Sequence, residues 1–303
     1  MAKDFRGQVA YITGGASGMG RGMAIAFARA GMKVAIADLR EDALEETVAA
    51  CALSGLDITP IKLDVTDRAA WGVALDEAER RLGPVQVLVN NAGVGLTAMM
   101  RDMTYKDWDF SMGVNFGGVL NGLMTILPRM LDRGSGGHLV VTSSTAGLTA
   151  VNGAAAYCAA KFAVTGLMEA LAGELAGTGI DVSIFCPGPV QTDIGRNLDR
   201  VRPDHLRNEQ ALQDPISPDG QAGQSLFMTP EEVGQRVLAG LQRRDLYILS
   251  HPEFAEGMRA RSEALARAVP EEPRNEARAA LLKQYGTLLL NPVYSMQKPV
   301  TFG

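Results

Sequence analysis

Val9-Ala-Tyr-Ile-Thr-Gly-Gly-Ala-Ser-Gly-Met-Gly20 decides the fold. Residues 9–13 read as a buried strand that ends in a glycine turn. A helical segment follows to about Ala30 and closes at Gly31. Outward from this unit the same alternation recurs. Residues 33–38, 58–64, 85–90, 138–143, 181–186 and 246–249 read as further short apolar strands, and 41–54, 68–82, 107–131 and 157–176 as helices. Nearly continuous apolar strands alternating with helices imply a parallel sheet covered on both faces. Right-handed crossovers then make it a doubly wound α/β fold with seven strands.

The character changes after Gln191. Residues 192–228 are rich in Asp, Arg, Pro, Gln and Gly and show little periodicity, as expected of a lid. Thr229-Pro-Glu-Glu starts a helix, with threonine as cap and proline in the first position. Residues 1–252 therefore read as one domain that includes the lid, and 253–303 as a helical extension.

The composition narrows the function. The chain has 303 residues, 47% hydrophobic and 21% charged, which predicts a packed core rather than disorder. A net charge of -5 without a basic run disfavours a nucleic-acid partner. Cys51, Cys158 and Cys186 form no CxxC pair and read as free buried thiols in a reducing, cytoplasmic setting. The amino terminus lacks the apolar core of a signal peptide, and no run of about eighteen apolar residues predicts a membrane span. His138, His205 and His251 are scattered without metal-ligand spacing.

The glycine turn points to a cofactor. Gly14, Gly18 and Gly20 let the backbone approach a pyrophosphate, and the following helix offers amide donors. Thr13, Ser17 and Met19 complete the turn. The second strand ends in Asp38, whose carboxylate can take the adenosine ribose hydroxyls and repel a 2′-phosphate. Arg40 argues the other way, since it could reach such a phosphate. The balance favours NAD over NADP. Asp38 could also cap the helix starting at Glu41.

Tyr157 and Lys161 lie four residues apart on one helical face, and Ser144 precedes the tyrosine. An ammonium held beside a phenol favours the phenolate and predicts a lowered tyrosine pKa. The Ser144 hydroxyl could hold the oxygen of an alcohol or ketone. Cys158 adjoins Tyr157, but with no histidine near in sequence it reads as packing.

Taken in order, TGGASGMG at 13–20, Asp38, Asp64-Val65, Asn90-Asn91-Ala92-Gly93, Asn115, Ser144, Tyr157, Lys161 and Pro187-Gly188-Pro189-Val190-Gln191-Thr192 resemble the short-chain dehydrogenase/reductase superfamily across residues 5–249. The resemblance implies that Asp64 and Val65 contact the adenine. Asn91, Ala92 and Gly93 would shape the sheet end beside the cofactor. Val190 and Thr192 would hold the nicotinamide carboxamide, with Pro187 and Gly188 letting the ring lie close. Asn115 would anchor a water that leads protons from Lys161 to solvent. GVNFGGVLNGLMTILPRM, the lid beginning Thr192-Asp-Ile, the LYIL strand and the carboxy-terminal extension are further similar to bacterial Cα-dehydrogenases. These oxidise the benzylic alcohol of lignin-derived β-aryl ethers with NAD.

On that resemblance Leu96, Met99, Met100, Leu148, Val151 and Phe227 would make an apolar substrate wall. Arg196, Arg200 and Arg202 read as solvated charges of the lid. A hydroxysteroid dehydrogenase, a general ketone reductase or a non-catalytic dinucleotide sensor remain as alternatives. The helices at 107–131 and 157–176 are apolar beyond one stripe, and in the family they pair subunits, so a homodimer or homotetramer is expected.

Overall fold

The computed structural model describes residues 3–192, 194, 198–209, 226–285 and 291–300. Seven parallel strands form one sheet: β1 (Val9–Thr13), β2 (Lys33–Asp38), β3 (Ile58–Lys62), β4 (Val85–Asn90), β5 (Gly137–Thr142), β6 (Ile180–Cys186) and β7 (Tyr247–Leu249). Their order is β3-β2-β1-β4-β5-β6-β7, so the winding reverses between β1 and β4. The register is even along most pairs, for example Tyr11 opposite Ala35 and Leu88 opposite Leu139.

The sheet is buried on both faces, as its unbroken apolar strands require. One face packs under α1 (Gly18–Arg29), α2 (Glu41–Leu53) and α8 (Pro230–Arg243), through Met23, Phe27, Leu44 and Val237. The other packs under α3 (Arg68–Leu82), α5 (Gly118–Arg133) and α6 (Ala155–Glu174), through Trp71, Leu75, Ile126 and Met168. Helix α8 begins as its sequence predicts. The Thr229 hydroxyl accepts from the Glu232 amide, and the Glu232 carboxylate accepts from the Thr229 amide. A Cβ on Gly22 of α1 would collide with the Pro230 carbonyl, so the two helices touch backbone to backbone.

The stretch 107–131, expected as one helix, is three segments. Helix α4 (Tyr105–Met112) starts earlier, from a capping box between Thr104 and Asp107. A π-helical turn over Gly113–Gly117 then interrupts it before α5. The cause is Asn115, whose side chain leaves the helix to bond the Val94 backbone twice. Tyr105–Arg133 and Ala155–Glu174 are, by length and composition, apolar enough to cross a bilayer. Mean hydropathy along a helix reveals this property, and a search for unbroken apolar runs does not. Half of each apolar window is buried inside the fold, where it serves the core.

Beyond β7 lie α9 (Ala255–Arg267) and α10 (Glu276–Gln284), both largely exposed. A last turn, Pro292–Met296, docks on α6. Val293 is buried in the main core, Tyr294 and Tyr247 both donate hydroxyls to Glu169, and the Gln297 side chain accepts from the Tyr247 amide.

Candidate active site

A cavity of about 280 Å³ opens over the carboxyl ends of the strands at the winding reversal. It is lined by the glycine turn, by Asp38 and Arg40 beyond β2, by Asp64 and Val65 beyond β3, and by Asn91, Ala92 and Gly93 beyond β4. Gly14 and Gly18 have φ of 62° and 48°, in the left-handed region that glycine enters freely. A Cβ on Gly14 would also lie 2.9 Å from the Cα of Ala92. Gly20 sits deeper, where a side chain would collide with the Gly14 carbonyl.

Hydrogen bonds tie three strand ends together here. The Thr13 hydroxyl accepts from the amides of Asn91 (2.9 Å) and Ala92 (3.0 Å). The Asn91 side chain donates to the Thr13 carbonyl (3.0 Å) and accepts from the Thr142 hydroxyl (3.0 Å). Asp38 accepts from the amides of Ala16 (3.2 Å) and Arg40 (3.1 Å). It does not cap α2, whose cap position is Arg40. The Arg40 guanidinium lies 3.7 Å from the Asp38 carboxylate and donates to the Ser17 hydroxyl at 2.9 Å. Backbone cradle, helix amides and a carboxylate at the β2 end together fit a dinucleotide.

The second cluster lies where β5 meets α6. Ser144 follows β5 and accepts from the Ala146 amide at 3.1 Å. Half-buried Tyr157 stands near enough for Ser144 to influence its phenol. Lys161 is buried, donates to the Thr142 carbonyl at 2.9 Å and stands 5.5 Å from the centre of the Tyr157 ring. Ser143 and Thr165 both donate to the Lys161 carbonyl, which pins α6 to the strand end. Asn115 is fully buried; its carbonyl oxygen and the Lys161 ammonium lie 2.9 and 3.6 Å from where a side chain on Gly93 would begin. This contact joins the second cluster to the cavity, which Ser144 and Tyr157 do not themselves line.

The electrostatics differ from the sequence expectation. Burial pushes the Tyr157 phenol up, the Ser144 hydroxyl pulls it part of the way back, and Lys161 is not a leading influence. Burial also pushes Lys161 down to about 8. Sequence spacing reports that two groups share a helix face, but not that removing both from water outweighs their mutual effect. Cys158 is occupied by the Val151 backbone, as a packing thiol is.

Beyond β6 the Pro187 carbonyl accepts from the Thr145 amide, and Gly188 donates to the Ser250 hydroxyl at 2.7 Å. A Cβ on Gly188 would come within 2.5 Å of Phe254 and 2.8 Å of His251. Room for those two side chains is thus one reason for glycine there, and no local motif links position 188 to either of them. Val190 bridges Met228, and the Thr192 methyl packs on the glycine turn, 3.1 Å from a Cβ position on Gly18.

The expected substrate wall divides. Leu96 is not on it, being fully buried with Val94 and Phe110 in a small cluster covered by Leu198, Val201 and Leu206. Leu148 packs partly on the main core. Met99, Met100 and Val151 are exposed. The Ala98–Ala154 bridge brings their two loops together at the start of α6, close in sequence to Tyr157. The carbonyl of partly buried Phe227 accepts from Gln191 at 2.8 Å. Arg202 is not a solvated lid charge; it is buried and pairs with buried Asp107 at 2.7 Å. Arg200 is exposed and faces Asp42 at 3.6 Å, while Arg196 and lid residues 210–225 lie outside the described residues. Among the described residues no group of histidine, cysteine and carboxylate side chains could hold a metal.

The family model described as short chain dehydrogenase matches residues 8–202. A C alpha-dehydrogenase of Sphingobium sp. (strain NBRC 103272 / SYK-6) is 37% identical, over 92% of this chain and 94% of its own. A 3beta-hydroxysteroid dehydrogenase 2 of Eggerthella lenta is 35% identical, over 75% of this chain and 85% of its own. The crystal structure of a short chain dehydrogenase/reductase from Burkholderia phymatum in complex with NAD is 35% identical and has a TM-score of 0.83, covering 90% of this chain and 99% of that one. The strand order, the glycine cradle at the winding reversal and these likenesses agree that the chain belongs to the short chain dehydrogenase family, as an oxidoreductase using a nicotinamide dinucleotide.

Proposed function

We propose that the protein is an NAD-dependent dehydrogenase interconverting a bulky benzylic secondary alcohol and its ketone, with Cα oxidation of β-aryl ethers as the specific case. The observation that carries this reading is buried Lys161, anchored on the Thr142 carbonyl at the end of β5, with its ammonium 5.5 Å from the Tyr157 ring centre and Ser144 close enough to influence the phenol. When bound, the dinucleotide supplies the carbon that accepts or gives the hydride. Ser144 and Tyr157 hold the substrate oxygen between them. Tyr157 takes the hydroxyl proton of the alcohol in oxidation and returns it to the ketone oxygen in reduction. Lys161 keeps a cation near that oxygen and bonds the nicotinamide ribose. Asn115 holds the Val94 backbone and thereby the loop that passes Lys161. Proton transfer of this kind contributes typically ~10²–10⁴-fold, and orientation supplies most of the rest.

Two features favour NAD. The Asp38 carboxylate at the end of β2 would repel a 2′-phosphate, and the Arg40 guanidinium is already engaged by Asp38 and Ser17. Exposed Met99, Met100 and Val151 suit an aryl substituent. The Sphingobium relative supports Cα oxidation of an aryl carbinol, and the Eggerthella relative supports a hydroxysteroid as the second reading. The three cysteines are all free, which suits a reducing cytoplasm. Exposed Met124 and Leu131 on α5 suit self-association as a homodimer or homotetramer.

Turnover of a panel of benzylic carbinols and hydroxysteroids with NAD and with NADP tests the assignment. Carbinols with NAD should be turned over fastest; preference for steroids would select the second reading. Tyr157→Phe should lower kcat by about 10²-fold or more while still binding NADH. An unchanged rate in that variant would remove Tyr157 from the chemistry.

A further inference from the structure

Residues 198–209, part of the stretch expected as a lid, line the cavity that runs from Asp38 to Gly93 and Thr192. Val201, Pro203, His205 and Leu206 share one cavity with Asp38, Asp64 and Val65, and that cavity does not reach Ser144 or Tyr157. The segment bridges two helices across it. On one side the short helix α7 (Leu198–Val201) presents Arg200 to Asp42 at the start of α2. On the other, Arg202 donates to Asp107 of α4 at 2.7 Å and to the Leu206 carbonyl at 2.7 Å. Its guanidinium also lies 5.3 Å from the centre of the Phe110 ring.

The two anchors are unequal. Arg200 and Asp42 are both exposed, and such pairs contribute little. Asp107 is fully buried, and its carboxylate accepts hydrogen bonds of 2.7–2.9 Å from the Thr104 amide and hydroxyl, from Arg202 and, at both oxygens, from Asn208. Burial alone would raise its carboxyl, but these donors outweigh it and hold the group below the usual carboxylate range. Pulling Arg202 away would strand a buried charge, so the segment resists lifting.

We infer that residues 198–209 are a strap over the adenosine half of the cofactor, fastened by Asp107, Arg202 and Asn208, and that this fastening controls cofactor exchange rather than substrate choice. The inference rests on the cleft being the dinucleotide site with Asp38 and Val65 at its adenosine end. Asp107, Arg202 and Asn208 are positioning residues, since they act through the strap.

The test is displacement of NADH from the full-length protein by excess NAD, followed by stopped-flow nucleotide fluorescence. Arg202→Lys keeps the charge but loses the fork geometry, and should speed NADH release by about tenfold. Asn208→Ala leaves the ion pair intact, so it keeps the test open if Arg202→Lys does not fold. It should speed release by roughly threefold. In both, KM for the alcohol should stay within about twofold of wild type. Release at the wild-type rate, or a change confined to alcohol KM, overturns the strap. Asp38→Ser is the separate check on the cleft: undiminished NADH affinity there would overturn the site assignment, and the strap with it.

Discussion

Tyr157 stands in a setting that keeps its proton on. Burial raises the phenol, while Lys161 is itself pushed down to about 8. In the proposed mechanism oxidation needs Tyr157 deprotonated and reduction needs it protonated, so kcat/KM for oxidation should climb with pH through the alkaline range. Under the same proposal reduction also needs Lys161 charged. It should stay level below pH about 8 and decline above it as Lys161 loses its proton. Rate profiles in both directions at saturating cofactor check this; an oxidation profile flat across roughly pH 6–10 would assign the proton to another group. That Tyr157 and Lys161 are neighbours was legible from their spacing. The direction in which Tyr157 shifts was not, because burial belongs to the packed fold and leaves no mark on an i, i+4 interval.

At the scale of elements, the π-turn at Gly113–Gly117 is held from outside its own helix. Asn115 accepts from the Val94 amide at 3.1 Å and donates to the Val94 carbonyl at 3.0 Å. Asn115→Leu would leave both backbone groups without those partners in a buried place, at about 1–3 kcal/mol each. Urea unfolding should show a loss of roughly 2–6 kcal/mol, and an unchanged midpoint would mean the loop holds itself. The sequence announced a long apolar helix here because its periodicity hardly changes through the bulge. The π-turn depends on a partner more than twenty residues away, which local pattern does not register. Thr104-x-x-Asp107 could have revealed the true helix start, since it has the form of a capping box. That the same carboxylate would also receive Arg202 and Asn208 could not be read, as both arrive from nearly a hundred residues downstream. The strands were legible to within a residue or two because unbroken apolar runs between turn residues have few other uses.

The whole molecule carries a built-in sensitivity to acid. His138 is fully buried at the start of β5, bonded to Ser183 at 2.8 Å through Nε2, while Nδ1 has no partner among the described residues. Burial pushes it down to about 3. An unfolded histidine takes up its proton near pH ~6.5, so the unfolded chain binds a proton that the folded one refuses between those values. The stability this neutral histidine confers is complete above pH ~6.5 and is lost as pH falls toward about 3, by roughly 1.4 kcal/mol per unit. His138→Asn should flatten that part of the dependence, as read from urea midpoints at several pH values. A mutant as acid-sensitive as the parent would move the cause to other groups.

The seventh strand is the outermost rail of the sheet, the place where a stranger's chain would ordinarily add itself. Here the protein has answered its own open amide with Gln297 and plugged the neighbouring hollow with Val293. The cover of this edge is thereby entrusted to a few residues of the segment 292–297. Trimming them, or hauling on them with a bulky fusion, would trade a sealed border for one that invites clumping.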